Sequence, residues 1–181
     1  WYYVVKKSQT ISKILISGDG GDELFGGYTF RYKKFLSLTT ETSSPLDKVI
    51  AYLQCHERDR VPDQEKIFNH ESNFSWKSIY KLLLPHFDNK LSRLDQVFLA
   101  DYNGKLLYNF NPVNSGIIKN FDMELLTPIL NDELLSLAPH IKKSYMYDQN
   151  NDLGKLPLRS ILKQNGHDLL VGKQKLGFNV N

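Results

Sequence analysis

A mainly helical chain organised around one buried strand is what this sequence predicts, and three observations carry that expectation. The apolar run Ile14-Leu15-Ile16 follows Lys13 and feeds directly into Ser17-Gly-Asp-Gly-Gly-Asp-Glu-Leu-Phe-Gly-Gly-Tyr28, a strand signal entering a glycine-rich turn. From Tyr28 onward, apolar residues recur at helical spacing. After Ile16 there is no second strong strand signal. A lone buried strand leaves N–H and C=O groups unsatisfied on both edges. Either Trp1 to Ser8 supplies its partner, or the remaining strands belong to sequence outside this chain; the second is favoured.

In order along the chain, Trp1 to Thr10 carries Tyr2, Tyr3, Val4 and Val5, which on propensity alone favour a strand. Ser17 to Gly21 reads as a loop with little side-chain bulk, and Asp22-Glu23 as the acidic first turn of a helix. A helix follows from Tyr28 to about Leu38, with Phe30, Lys33, Lys34 and Phe35 dividing it into an apolar and a basic side. Thr39 to Ser44 is a polar connector, and Pro45 opens the next helix at a position proline tolerates. That helix runs through Val49, Ile50 and Leu53 into the charged Cys55 to Arg60, read as a solvated face. Val61 to Asn73 reads as a loop region with a short helix inside it. Phe74 to Phe87 is amphipathic, with Trp76, Ile79, Tyr80 and Leu82 to Leu84, and is expected to end at Pro85. Ser92 to Tyr108 continues the helical pattern with an interruption at Asn103-Gly104.

The totals suit one soluble globular domain: 181 residues, 41% of them apolar and 24% charged, enough to bury a real core. With 23 basic and 20 acidic residues, the net charge of +3 is too balanced to argue for nucleic acid or an anionic membrane, while phosphate-bearing small ligands stay compatible. Cys55 is the only cysteine, so there is no intramolecular disulfide framework and no cysteine metal cluster. A buried, inert thiol is expected there. No signal peptide is read and no apolar run approaches bilayer length, so a cytoplasmic protein with no membrane partner is expected. His56, His70, His86, His140 and His167 lack zinc-ligand spacing, and neither a Gly-x-Ser-x-Gly elbow nor a Walker phosphate loop is present. The first residue is Trp1 rather than Met, which suggests a piece of something longer.

Chemistry concentrates in residues 17 to 28. Glycines allow close backbone approach and unusual dihedrals, N–H groups at a helix start face an anion, and Asp19, Asp22 and Glu23 can bind a hard cation or handle protons. The bland alternative is a strand-to-helix turn whose acids merely complement the helix dipole.

The stretch SGDGGDELFGGY resembles the second signature of the asparagine synthetase (glutamine-hydrolysing) family, whose ATP-pyrophosphatase domains adenylate a carboxylate and pass it to an amine. Further matches run in order along the chain. Phe121-Asp-Met-Glu-Leu-Leu-Thr-Pro-Ile-Leu-Asn131 resembles the family's LExRxPFLD, with Glu124, Pro128 and Leu130 in register, Gly154-Lys-Leu-Pro-Leu-Arg159 its GKxxLR, and Lys173-Gln-Lys-Leu-Gly-Phe178 its RxKxGF. Leu126 stands where the family has Arg and Asn131 where it has Asp. Asn114 to Asn120 lacks the family's Asp-Arg/Lys pair.

The resemblance implies an α/β fold, a parallel sheet flanked by helices, with residues 1–181 forming the C-terminal part of such a domain. It also implies a helix over Tyr3 to Ser12, against local propensity. Residue by residue, Ser17 and Gly18 would touch ATP, while Gly18, Gly20 and Gly21 would let substrate lie against the loop. Asp22 matches the family's Mg²⁺ ligand, and Asp19, Glu124 and Lys175 take catalytic positions. Lys155 and Arg159 divide evenly between structural roles and phosphate contact. The implied reaction is adenylation of an aspartate-like carboxylate, release of pyrophosphate, and attack by ammonia from glutamine, delivered by a glutaminase domain or subunit; a homodimer is compatible. The family's SGGxDS strand-loop and the glutaminase cysteine are not found in this chain, so the isolated chain is expected to be inactive. A degenerate binding or regulatory subunit, or a same-fold enzyme with a sugar or peptide acceptor, remains the alternative.

Overall fold

The computed structural model describes residues 1–56, 66, 68 and 74–171. Helix α1 (Tyr2–Ser8) leads to β1 (Ile14–Ile16), the short α2 (Gly21–Phe25) and α3 (Thr29–Leu38). Helix α4 (Pro45–Gln54) starts at Ser44, whose side chain accepts from the Asp47 N–H. Serines open α5 (Trp76–Phe87) and α6 (Arg93–Ala100) in the same way. A π-helical segment, Asp101–Phe110, carries α6 without a break into α7 (Asn111–Asn120). Then come β2 (Glu124–Leu126), a 3-10 turn at Pro128–Leu130, and α8 (Asp132–Leu137). The hairpin strands β3 (Tyr147–Asp148) and β4 (Leu153–Gly154) precede α9 (Leu156–Gln164) and α10 (Asp168–Val171).

The strand β1 has a partner within the chain. It pairs in parallel with β2, Ile14 opposite Glu124 and Ile16 opposite Leu126, which corrects the expectation that its partners all lie elsewhere. Three residues are too few to show a period of two, so this strand was hidden inside the LExRxPFLD-like segment. The other edge of β1 has no partner among the described residues. Tyr2–Ser8 is helical, so the helix that the resemblance implied is present but ends at Ser8 rather than Ser12; its buried Val5 outweighs the local strand preference. Helix α7 packs beside β2, and α1 beside α7. The described residues are mainly helical with two small sheets, and the full parallel sheet of an α/β fold is not seen among them.

Two other expectations are corrected. Pro85 does not end its helix: only Pro85 to Phe87 follow, and the buried Phe87 ring holds that last turn in place. Asn103-Gly104 does not interrupt the next one, because the chain widens there into π turns while Asp101 and Leu106 stay buried on either side. The short helix expected within Val61 to Asn73 lies essentially outside the described residues.

The core is aromatic. Tyr32 stacks on Phe98 at 4.8 Å between ring centroids and meets the edge of Tyr147 at 5.3 Å, while Phe87 touches both Phe35 and Tyr52. Beneath it lies a buried polar group. The Tyr52 hydroxyl donates to Asp101 Oδ1 at 2.8 Å, and Arg31 donates to His56 Nε2 at 3.0 Å. Because a guanidinium only donates, Nε2 must accept; the His56 proton is then on Nδ1, which reaches the Tyr52 carbonyl at 2.8 Å. Burial pushes the Asp101 carboxyl up to about 6, against the pull of Arg31, the Tyr52 hydrogen bond and Lys105.

Two outcomes follow. The strand β1 is not buried as expected: Ile14 and Ile16 are exposed, together with Leu126, on one face of the β1–β2 pair, so the 181-residue chain is expected to self-associate in sedimentation, and a clean monomer would contradict this. Folded Asp101 keeps its proton between about pH 4 and 6 where the unfolded chain has released it, so its contribution to stability falls as pH rises through that window. At about 1.4 kcal/mol per pH unit that is roughly 3 kcal/mol. Thermal melts should therefore show Asp101→Asn gaining on the wild type from pH 4.5 to 7.5; a constant difference would refute the assignment.

Candidate functional site

Strand β1 delivers the loop, and the loop is tied down immediately: the Ser17 N–H donates to the Leu126 carbonyl at 2.9 Å. Ser17 Oγ then accepts the Asp19 N–H at 3.2 Å, folding the chain back on itself. Gly20 takes a left-handed φ of 85° as it enters α2, and Leu130 fills the place a side chain would need, its Cδ2 being 2.1 Å from where a Cβ would sit. A five-residue helix follows, and its start sends the three carboxylates of the motif to three different partners.

Glu23 turns inward. It is 4% exposed, accepts the Tyr28 hydroxyl proton at 2.5 Å and lies 3.8 Å from Lys105 Nζ, which also sits over the Tyr28 ring. Burial and the Glu23 carboxylate both push the Tyr28 hydroxyl far up. Glu23 is therefore a structural acid, although the sequence offered it equally with Asp19 and Asp22 for cation or proton chemistry. Asp22 meets Lys155, with Nζ 2.9 Å from Oδ1. Asp19 Oδ2 accepts from Asn114 Nδ2 at 2.7 Å, across a separation of 95 residues.

The Lys155 contact depends on a close fit of two glycine-bearing pairs. A Cβ on Gly154 would lie 1.9 Å from the Gly26 carbonyl oxygen, and one on Gly27 would lie 1.7 Å from Asp22 Oδ1 and 2.5 Å from Lys155 Cε. The Lys155 N–H donates to the Phe25 carbonyl at 2.9 Å, and Lys155 itself has a φ of 58°, unusual for a residue with a side chain. The GGY end of one motif and the GK start of another are thus pressed together, which sets the ammonium on the carboxylate.

A model of the asparagine synthase family matches residues 1–181, the whole chain. The chain belongs to the asparagine synthase family. A curated relative, asparagine synthetase [glutamine-hydrolyzing] 1 of Bacillus subtilis (strain 168), is 31% identical over 107 residues, covering 52% of this chain and 17% of that protein. The chain thus spans a minor part of that relative's length. No solved structure matches it at a significant level.

Of the site residues that the family pattern singles out, all but Lys175 lie among the described ones. Ser17 is spent on the turn described above. Gly18 borders open space, with no atom within 4 Å of where a Cβ would sit, whereas Gly21 faces Ile129, Leu158 and Lys155. Glu124 is exposed at the start of β2, in register with Ile14, two residues or about 7 Å along the ladder from Leu126, which adjoins the loop. No contact joins it to Asp19 or Asp22 among the described residues. Lys173 and Lys175 lie outside the described residues. Asn131 still caps α8, its Oδ1 accepting the Leu134 N–H at 2.8 Å, so the change from Asp preserves the cap. Leu126 puts an exposed apolar side chain beside the loop where the family has a cation.

Two residues were not singled out for the site from sequence. Asn114 carried no local signal beyond its place in a segment departing from the family, and Lys155 was left between structure and phosphate contact. Arg159 takes the structural role, donating to the Gly154 carbonyl at 2.9 Å and to the Val171 carbonyl. As for a cation, no group of three His, Cys, Asp or Glu side chains among the described residues could hold a metal. The Asp22 carboxylate is a hard oxygen donor of the kind that Mg²⁺ arriving with phosphates accepts, and the Lys155 ammonium stands on it as a positive charge.

The two glycines separate two costs. Gly154→Ala meets backbone and should cost about 1–3 kcal/mol, lowering the melting temperature by roughly 3–10 °C. Gly27→Ala meets only side-chain atoms and should cost clearly less while displacing the ion pair. Equal losses in thermal unfolding would contradict this packing account.

Proposed function

We propose that this chain is part of an ATP-dependent amide-forming ligase that adenylates an aspartate-like carboxylate and transfers ammonia to it. The observation that carries the reading is the loop itself: Asp19 and Asp22 are each held by a polar side chain from a distant segment while Gly18 between the strand and those acids borders open space. Family membership supports the ligase class.

In the proposed chemistry a carboxylate oxygen of the acid attacks the α-phosphorus of ATP, the bond to pyrophosphate breaks, and ammonia then displaces AMP from the acyl carbon. Ser17 and Gly18 line the nucleotide, and the bare backbone of Gly18 lets it approach closely. Mg²⁺, when bound, would neutralise phosphate charge, with Asp22 as its protein ligand. Asp19 stands next to the acyl carbon and accepts the proton that the attacking nitrogen sheds. Asn114 orients it, since an amide nitrogen donates a hydrogen bond and takes no proton. Lys175 would steady the charge that grows on departing pyrophosphate. Ammonia comes from a glutaminase domain or subunit, in the cytoplasm.

Leu126 beside the loop favours a second reading, a same-fold enzyme with a different acceptor, because a lost cation alters what carboxylate can dock there. ATP–pyrophosphate exchange by the full-length protein separates the two. Exchange dependent on aspartate, reduced about 100-fold or more in Asp22→Ala, is the expected result. Exchange with another acid but not aspartate selects the second reading, and no exchange with any acid would overturn both.

A further inference from the structure

We propose that Lys155 is an exchangeable counter-cation for Asp22: its ammonium holds the carboxylate before nucleotide arrives, gives up that oxygen to the incoming divalent cation, and turns to a phosphate oxygen. The inference rests on the nucleotide reading above and goes beyond it, because it assigns the pair a change of partner.

Three features support an exchange over a fixed bridge. The pair is partly exposed, with side-chain exposures of 33% for Lys155 and 23% for Asp22, so breaking it does not strand a charge in a dry interior. The backbone of Lys155 is fixed by its N–H bond to Phe25 and by the contact of Gly154 with Gly26, leaving the four-carbon stem as the part able to move. A compact ammonium on a flexible stem suits a hand-over from carboxylate to phosphate better than a bidentate guanidinium would. Gly27 clears the path on one side: a side chain there would collide with both Asp22 Oδ1 and Lys155 Cε. A metal at about 2.0–2.1 Å from the same oxygen would repel an ammonium kept at 2.9 Å. The two positive charges therefore compete for one carboxylate.

A merely structural lysine predicts the opposite sign, since its removal would leave Asp22 disordered and weaken cation binding. Mn²⁺ titration of the full-length protein without nucleotide, read by electron paramagnetic resonance, decides between them. Lys155→Met should bind Mn²⁺ roughly 3- to 10-fold more tightly than wild type, the size expected for removing one partly exposed charge. Asp22→Asn in either background should abolish the gain. Affinity for a non-hydrolysable ATP analogue should fall in Lys155→Met and be partly restored in Lys155→Arg. If Lys155→Met melts early, Lys155→Gln takes its place in the same titration. Unchanged, weaker or absent Mn²⁺ binding in these variants overturns the exchange. Failure of the wild type to bind the ATP analogue overturns the nucleotide reading instead, and leaves the Mn²⁺ comparison to be judged separately.

Discussion

The close apposition of Gly26-Gly27 with Gly154-Lys155 is the constraint on which the site depends. Gly154 has no room for a side chain against the Gly26 carbonyl oxygen, so the two segments meet there backbone against backbone, while a side chain on Gly27 would push into the Asp22 and Lys155 side chains. That contact ties the end of α2 to the start of α9 and leaves one lysine side chain with a short path to Asp22. The left-handed φ of Lys155 is the local cost of starting a helix at that angle. Loss of the fit would release α9 from the loop even though the aromatic core around Tyr32 and Phe98 stayed intact.

The same loop shows how one acidic motif divides its labour. Adjacent residues on a short helix point about 100° apart, so Asp22 and Glu23 cannot serve one site. Glu23 goes inward to Tyr28 and Lys105 and fixes α2 to the π-helical segment, while Asp22 stays at the surface. The π turns contribute by continuing one long helix from Arg93 to Asn120, which presents Lys105 to Glu23 and, further along, Asn114 to Asp19. Helix register sets the place of Lys105 and Asn114, and the turn at Ser17 sets that of Asp19.

Much of this was legible in the residues. The strand at Ile14–Ile16, the loop, the helix opened by Pro45 and the family all follow from local patterns that need no tertiary information. What escaped was non-local or too short to carry a period. The partner strand Glu124–Leu126 has three residues; its pairing is decided by backbone proximity to β1. Asn114 and Lys155 reach the site through contacts between segments far apart in the chain; the GKxxLR-like segment marked Lys155 without fixing its partner, and nothing near Asn114 in sequence marked it. Pro85 and Asn103-Gly104 misled because local breaking tendencies of about 1–3 kcal/mol yield to burial of Phe87 and Leu106.

The central claim is that the loop from Ser17 to Asp22 is one wall of a nucleotide site with Lys155 at its edge. A crystal structure of the full-length protein with Mg²⁺ and a non-hydrolysable ATP analogue tests it most directly. The expected result is nucleotide against Gly18, Asp22 at the metal, and the Lys155 ammonium on a phosphate oxygen. Nucleotide bound elsewhere, with the Asp22–Lys155 pair undisturbed, would contradict it.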